Sequence, residues 1–183
     1  MKEVTLKAYL FEELSEKAKQ AAIVYERAIQ DIYLDTDRHV EDLEEQGFLN
    51  PKIFYSGFGS QGDGACFTAN VDIERFCVGK YASLMDIHLD VKFTRLDCQY
   101  SHEGSMRLEI FTQSWATEEQ VALAEELEDE LEALRYKLSK DIYEHLKEDF
   151  DHLNSDEYIS DELINREEYF HENGEVFKEA NDE

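Results

Sequence analysis

The chain has 183 residues, 44 of them Asp or Glu and 18 Lys or Arg, which gives a formal charge of −26 with 42% hydrophobic and 12% aromatic residues. That apolar share excludes a disordered acidic tail and suffices for a packed core. The charge excludes binding to phosphate backbones, whose affinity comes from cations that displace the polymer's counterions, so no direct nucleic-acid binding is expected and the natural partner is basic. The longest apolar run, Ala21 to Tyr25, is far below the ~20 residues of a membrane span, and Met1-Lys2-Glu3-Val4 lacks a secretory h-region. The expectation is a cytoplasmic protein without a membrane anchor. Cys66, Cys77 and Cys98 are odd in number and contain no C-x-x-C pair, which reads as three reduced, buried thiols.

Along the chain, the alternation Val4-Thr5-Leu6-Lys7-Ala8-Tyr9 predicts a first strand. Ser15 is a predicted N-cap for a helix from Glu16 to Ile32 with Ala18, Ala21, Ala22, Tyr25 and Ile29 as its apolar stripe. A second helix, Asp37 to Gln46, stops at Gly47. Pro51 precedes a strand from Lys52 to Phe58, the Gly-rich segment 57–64 follows, and Ala65 to Val71 reads as the returning strand of a hairpin. Ile73 to Tyr81 suggests a short helix, and the runs Ile87 to Leu96 and Met106 to Gln113 complete an antiparallel meander around the turn at Ser101-His102-Glu103-Gly104.

After Trp115 the pattern changes. Thr117-Glu118-Glu119-Gln120 has capping-box spacing, and Leu127, Leu131, Leu134, Leu138, Ile142, Leu146, Phe150 and Leu153 recur every three or four residues. They predict one helix of some 35 residues, roughly 50 Å long. Ser155-Asp156-Glu157 opens a second helix that carries Ile159, Leu163 and Phe170 and ends near Asn173-Gly174. The expected fold class is α+β: an antiparallel sheet of about four to five strands with N-terminal helices and a long acidic C-terminal helical hairpin. Residues 1–116 form the α+β part and 117–183 the hairpin, packed on the same core as one domain.

Residues 1–116 carry 20 acids and 12 bases, whereas 117–183 carry 24 acids and 6 bases. At ~100° per residue the leucines 127, 131, 134 and 138 share a narrow arc, and Glu118, Glu125, Asp129 and Glu132 project from the opposite side. Exposed helix faces ordinarily interleave Lys with Glu for i,i+4 pairing, but Glu125 to Glu132 holds six acids and no base. Such repulsion costs stability, which points to a binding use. The candidate acidic surface is Glu118, Glu125, Glu126, Asp129 and Glu132 with Asp156, Glu157, Asp161 and Glu162. A second candidate surface is the hairpin connection, through Ser60, Gln61 and Asp63. No Lys or Arg lies between Lys52 and Arg75, so this glycine loop is not a phosphate cradle.

The stretch Ser56-Gly57-Phe58-Gly59-Ser60-Gln61-Gly62-Asp63-Gly64-Ala65-Cys66-Phe67, which has the form S-G-F-x-S-Q-G-D-G-A-x-F, follows Glu13-Leu14-Ser15-Glu16-Lys17-Ala18-Lys19 by some 40 residues. Together they resemble a family of small acidic proteins carried by phages and other mobile elements, some of them labelled antitoxins, and similar in size and character to anti-CRISPR inhibitors of Cas9. The resemblance covers roughly residues 1–75 and transfers no functional residues. It implies a mobile-element protein that disables host defence in the bacterial cytoplasm.

Chemistry-bearing motifs are sparse. Cys98 and His102 form an isolated C-x-x-x-H pair, and His145, Asp149 and His152 share a helical face better suited to packing than to metal. No metal, cofactor or catalytic residue is expected, and an enzyme, such as a small metal-dependent hydrolase, is the minority reading. The leading expectation is a non-enzymatic inhibitor that mimics DNA and blocks a defence nuclease, most concretely guide-loaded Cas9. The alternative is an antitoxin or assembly partner that neutralises a basic protein through the Gly-rich hairpin.

Overall fold

The computed structural model describes residues 7–112 and 115–177. The fold is α+β, with strands β1 (Tyr9–Leu10), β2 (Phe48–Ser56), β3 (Gly64–Val71), β4 (Asp90–Arg95), β5 (Met106–Phe111) and β6 (Tyr169–Phe170), and helices α1 (Glu16–Ile29), α2 (Asp37–Glu45), α3 (Ile73–Phe76), α4 (Glu118–Leu153) and α5 (Asp156–Asn165). The chain divides into two compact units, Met1–Tyr33 with Glu148–Glu183, and Leu34–Lys147, the division falling inside α4.

The unit Leu34–Lys147 is built on an antiparallel meander in the order β2-β3-β4-β5. Its core includes a triangle of Phe48, Phe67 and Phe93, whose ring centroids lie 5.4 to 5.7 Å apart, favourable for edge-on contact beyond simple burial. Leu127, Leu131, Leu138, Ile142 and Leu146 of α4 are buried at the predicted helical spacing. Ser139 also lies on this inner face, its hydroxyl 3.7 Å from the Met106 sulfur, and the helix is continuous through it. Each leucine of this kind contributes roughly 1.5–3 kcal/mol by leaving water.

The other unit joins α1 and α5 through a cluster of Phe11, Leu14, Ala18, Ala22, Ile23, Ile159, Leu163 and Phe170. Ser15 caps α1 by accepting from the Ala18 N–H, and Ser155 caps α5 by accepting from the Tyr158 N–H. Strands β1 and β6 pair antiparallel, with Tyr9 opposite Phe170. An ion pair at 2.6 Å between the exposed Arg166 and the buried Glu26 ties the end of α5 to the inner face of α1.

Several sequence expectations give way to tertiary constraints. Residues 4–6 of the predicted first strand lie outside the described residues. Pro51 does not precede β2 but sits within it, at an irregularity between Leu49 and Lys52 where Asn50 has φ +52°; β2 is an edge strand, so the missing N–H interrupts no inner ladder. The helix expected from Ile73 to Tyr81 ends at Phe76, and a 3₁₀ segment runs from Gly79 to Ile87. Helix α5 stops at Asn165 because Phe170 turns inward to complete the core, with Glu167 taking a positive φ at the reversal. On α1 only Ala18 and Ala22 of the expected stripe are buried, whereas Ala21, Tyr25 and Ile29 are exposed. Cys98 is exposed and only Cys66 and Cys77 are buried.

Gly174 combines φ +90° with a backbone approach so close that an added Cβ would run into the Ala18 carbonyl. Gly174→Ala is expected to cost about 1–3 kcal/mol, seen as a lower urea midpoint with an unchanged m-value.

Candidate protein-interaction surface

Helix α4 begins with a reciprocal cap. The Gln120 N–H donates to the Thr117 hydroxyl at 3.2 Å, and the Thr117 N–H donates to the Gln120 side-chain oxygen at 3.0 Å. Glu118 and Glu119 occupy the first turn, where the helix dipole favours negative charge. Because Ala124, Leu127 and Leu131 face inward, Glu118, Glu125, Glu128 and Asp129 stand exposed, and among the described residues the structure gives none of these carboxylates an ion pair. Glu126 and Glu130, one turn apart, share Lys80 at 3.0 and 3.2 Å.

Glu132 corrects the sequence reading. It does not project from the acidic face but is half-buried against β5, where it accepts from the Leu108 N–H at 3.3 Å and from Arg135 Nε at 2.6 Å. Arg135 also donates to the Glu103 carbonyl oxygen. The cause is the sheet edge: β5 leaves backbone donors on its outer side, and a carboxylate on α4 satisfies one of them.

The α5 acids belong to the other unit and differ among themselves. Asp156 receives Arg27 Nη2 at 2.5 Å and Gln20 Nε2 at 3.4 Å, and the Arg27 hydrogen bond holds its carboxyl below the usual range. Glu157 and Asp161 are exposed, and Glu162 is half-buried. Asp156 is thus a structural clamp within its unit.

The Gly-rich hairpin is largely its own scaffold. The Asp63 carboxylate accepts from the N–H groups of Gly59 and Ser60 at 2.9 and 2.6 Å. A Cβ on Gly57 would press on that carboxylate, Gly62 has φ +101°, and a Cβ on Gly64 would lie 2.8 Å from the His102 Cα. The Ser56 hydroxyl bridges the Ser101 carbonyl and N–H, both at 3.1 Å. Ser60 and Gln61 remain exposed. Beside them Tyr55, Phe58 and Tyr143 form a stacked series with centroids 6.0 and 5.5 Å apart, and the Tyr143 hydroxyl donates to the Gly57 carbonyl at 3.3 Å. Sequence reasoning missed Tyr55 and Tyr143 as members of this surface; nothing local links positions 57 and 143.

The isolated His and Cys motifs are drawn into local structure. His145 stacks on buried His39 at 5.6 Å, whereas His152 packs edge-on against Tyr158 at 5.2 Å. Cys98 donates to the Tyr100 carbonyl at 3.1 Å, and His102 Nδ1 accepts from the Gly104 N–H at 3.0 Å. Burial pushes the Cys66 and Cys77 thiols upward. Among the described residues no group of three or more His, Cys, Asp or Glu is arranged to hold a metal ion, and no helix is long and apolar enough to cross a membrane.

Two predictions separate structural from exposed acids. Glu132→Gln is expected to cost about 1–3 kcal/mol by weakening a charge-assisted bond to a partly buried donor, while Glu125→Gln stays within about 0.5 kcal/mol; denaturant midpoints compare them. The Asp156 carboxyl titrates lower folded than unfolded, so its stabilisation is present above the ordinary carboxylate range and is lost as pH falls through the folded value. Asp156→Asn therefore lowers the thermal midpoint at neutral pH and leaves it closer to wild type in strong acid.

Neither the curated proteins nor the solved structures contain a match to this chain. A family described as a domain of unknown function, DUF8835, matches residues 23–156, a stretch that holds α2, the four-stranded meander and all of α4. With most of its length inside that match, the chain belongs to the DUF8835 family.

Proposed function

We propose that this protein is a non-enzymatic inhibitor that binds a basic, nucleic-acid-binding protein through the exposed carboxylates of α4, most concretely a guide-loaded Cas9 whose DNA channel it occupies in the host bacterial cytoplasm. The observation that carries the reading is the outer face of α4, where Glu118, Glu125, Glu128 and Asp129 stand in solvent without ion pairs among the described residues while the opposite face is buried. Successive turns repeat about every 5.4 Å, coarser than the ~3.4 Å charge spacing of one DNA strand, and Arg or Lys clusters that hold phosphates also hold carboxylates. Opposite fields speed encounter. A protein with a charge of −26 competes with DNA for such a channel and has no affinity for the DNA itself.

The hairpin supports a second reading, in which an antitoxin or assembly partner docks through the Tyr55–Phe58–Tyr143 stack with Ser60 and Gln61 at its rim. Salt separates the two, because charge-based binding weakens steeply with ionic strength and aromatic docking does not. The triple variant Glu125→Gln, Glu128→Gln, Asp129→Asn spares the structural Glu132. It is expected to lose inhibition of DNA cleavage on the order of tenfold or more at low salt, with its circular dichroism unchanged. Wild-type inhibition by the folded triple variant rejects the acidic surface.

A further inference from the structure

Helix α1 has two apolar faces. Ala18, Ala22 and Ile23 face the core of their unit, but Ala21, Val24, Tyr25, Ala28 and Ile29, spaced i, i+3, i+4, i+7 and i+8, form a second stripe in solvent. Val24 and Ile29 are each 58% exposed and Tyr25 48%. Just past the helix Tyr33 is 83% exposed. A cavity of about 480 Å³ opens beside the stripe, lined by Ala21, Tyr25, Asn173, Gly174, Glu175 and Val176. Scattered surface hydrophobes need no explanation, but a contiguous stripe of this kind marks an interaction surface.

We infer that this face is a self-association surface on which a second copy of the chain lays its own α1 antiparallel, with the two-fold axis passing near Tyr25. The stripe is self-complementary in size about that point: Ala21 lies opposite the second copy's Ile29, so a small residue receives a large one on each side of the Tyr25 pair. The second copy's Ile29 then reaches toward the cavity beside Ala21. It is also self-complementary in charge. Lys17, one turn before Ala21, is exposed at the start of α1 and Asp31 is exposed just beyond its end, so antiparallel pairing sets the Lys17 of each copy near the Asp31 of the other, twice by symmetry. A like copy thus finds apolar contact flanked by a lysine and an aspartate of opposite charge.

One helix face per copy falls short of the ~800 Å² per partner of a stable complex, so the dissociation constant belongs on the order of tens of micromolar or weaker. Two chains of the same large negative charge repel at long range, and added salt screens that repulsion. Self-association therefore tightens with salt, opposite in sign to charge-based binding of a basic partner, and either reading can fail alone.

The test is sedimentation equilibrium of the full chain from about 1 to about 500 μM, at about 50 and about 500 mM NaCl. The wild type is expected to form dimers that are several-fold tighter at the higher salt, and the double variant Val24→Gln, Ile29→Gln to remain monomeric with its thermal midpoint unchanged. Independently, Tyr25→Cys in a Cys98→Ser background is expected to form a disulfide-linked dimer under mild oxidation, since the two-fold places the two positions face to face; this arm keeps the test decisive should the double variant misfold. A wild type that stays monomeric throughout, dimers untouched by the double variant, or a Tyr25→Cys chain that does not cross-link overturns the inference.

Discussion

The burial of the leucine stripe of α4 is the interaction on which the rest depends. That stripe must leave water on a helix whose other residues include six acids between Glu125 and Glu132, and the repulsion among them opposes helix formation. Burying Leu127, Leu131, Leu138, Ile142 and Leu146 supplies several kcal/mol against that opposition. A small set of polar contacts fixes the register. Glu132 meets a donor on the edge strand β5, Arg135 meets the Glu103 carbonyl, and Lys80 draws two carboxylates together. The acids then sort into those that hold the helix in place and those left in solvent.

Elements whose signal is local were legible in the sequence. The caps at Ser15, Thr117 and Ser155 place the starts of α1, α4 and α5, and the alternation of the middle segment yields a four-stranded meander. What sequence reasoning missed depends on partners far along the chain. The inward turn of Phe170 is set by the cluster around Phe11 and Leu14, and the placement of Pro51 by the edge position of β2. The buried face of α1 was misjudged because the helix is apolar on two sides, and no periodicity says which side a core will cover. The candidate site divides in the same way: helical spacing places Glu125 and Asp129 outward, but it carries no information about the β5 donor that draws Glu132 inward.

The S-G-F-x-S-Q-G-D-G-A-x-F stretch illustrates how a distinctive sequence can be mainly structural. Gly57 makes room for the Asp63 carboxylate, that carboxylate organises the turn, Gly62 supplies a positive φ, and Gly64 lets the strand approach His102. Only Ser60, Gln61 and the adjoining aromatic stack remain available to a partner. A motif of this kind preserves the loop's geometry, and any recognition it performs comes from the few side chains it displays.

Carbodiimide labelling of carboxylates, read by mass spectrometry with and without guide-loaded Cas9, tests the central claim most directly. Glu125, Glu128 and Asp129 are expected to lose reactivity in the complex. Unchanged labelling along α4, together with protection confined to the segment from Ser56 to Gly64, would contradict it.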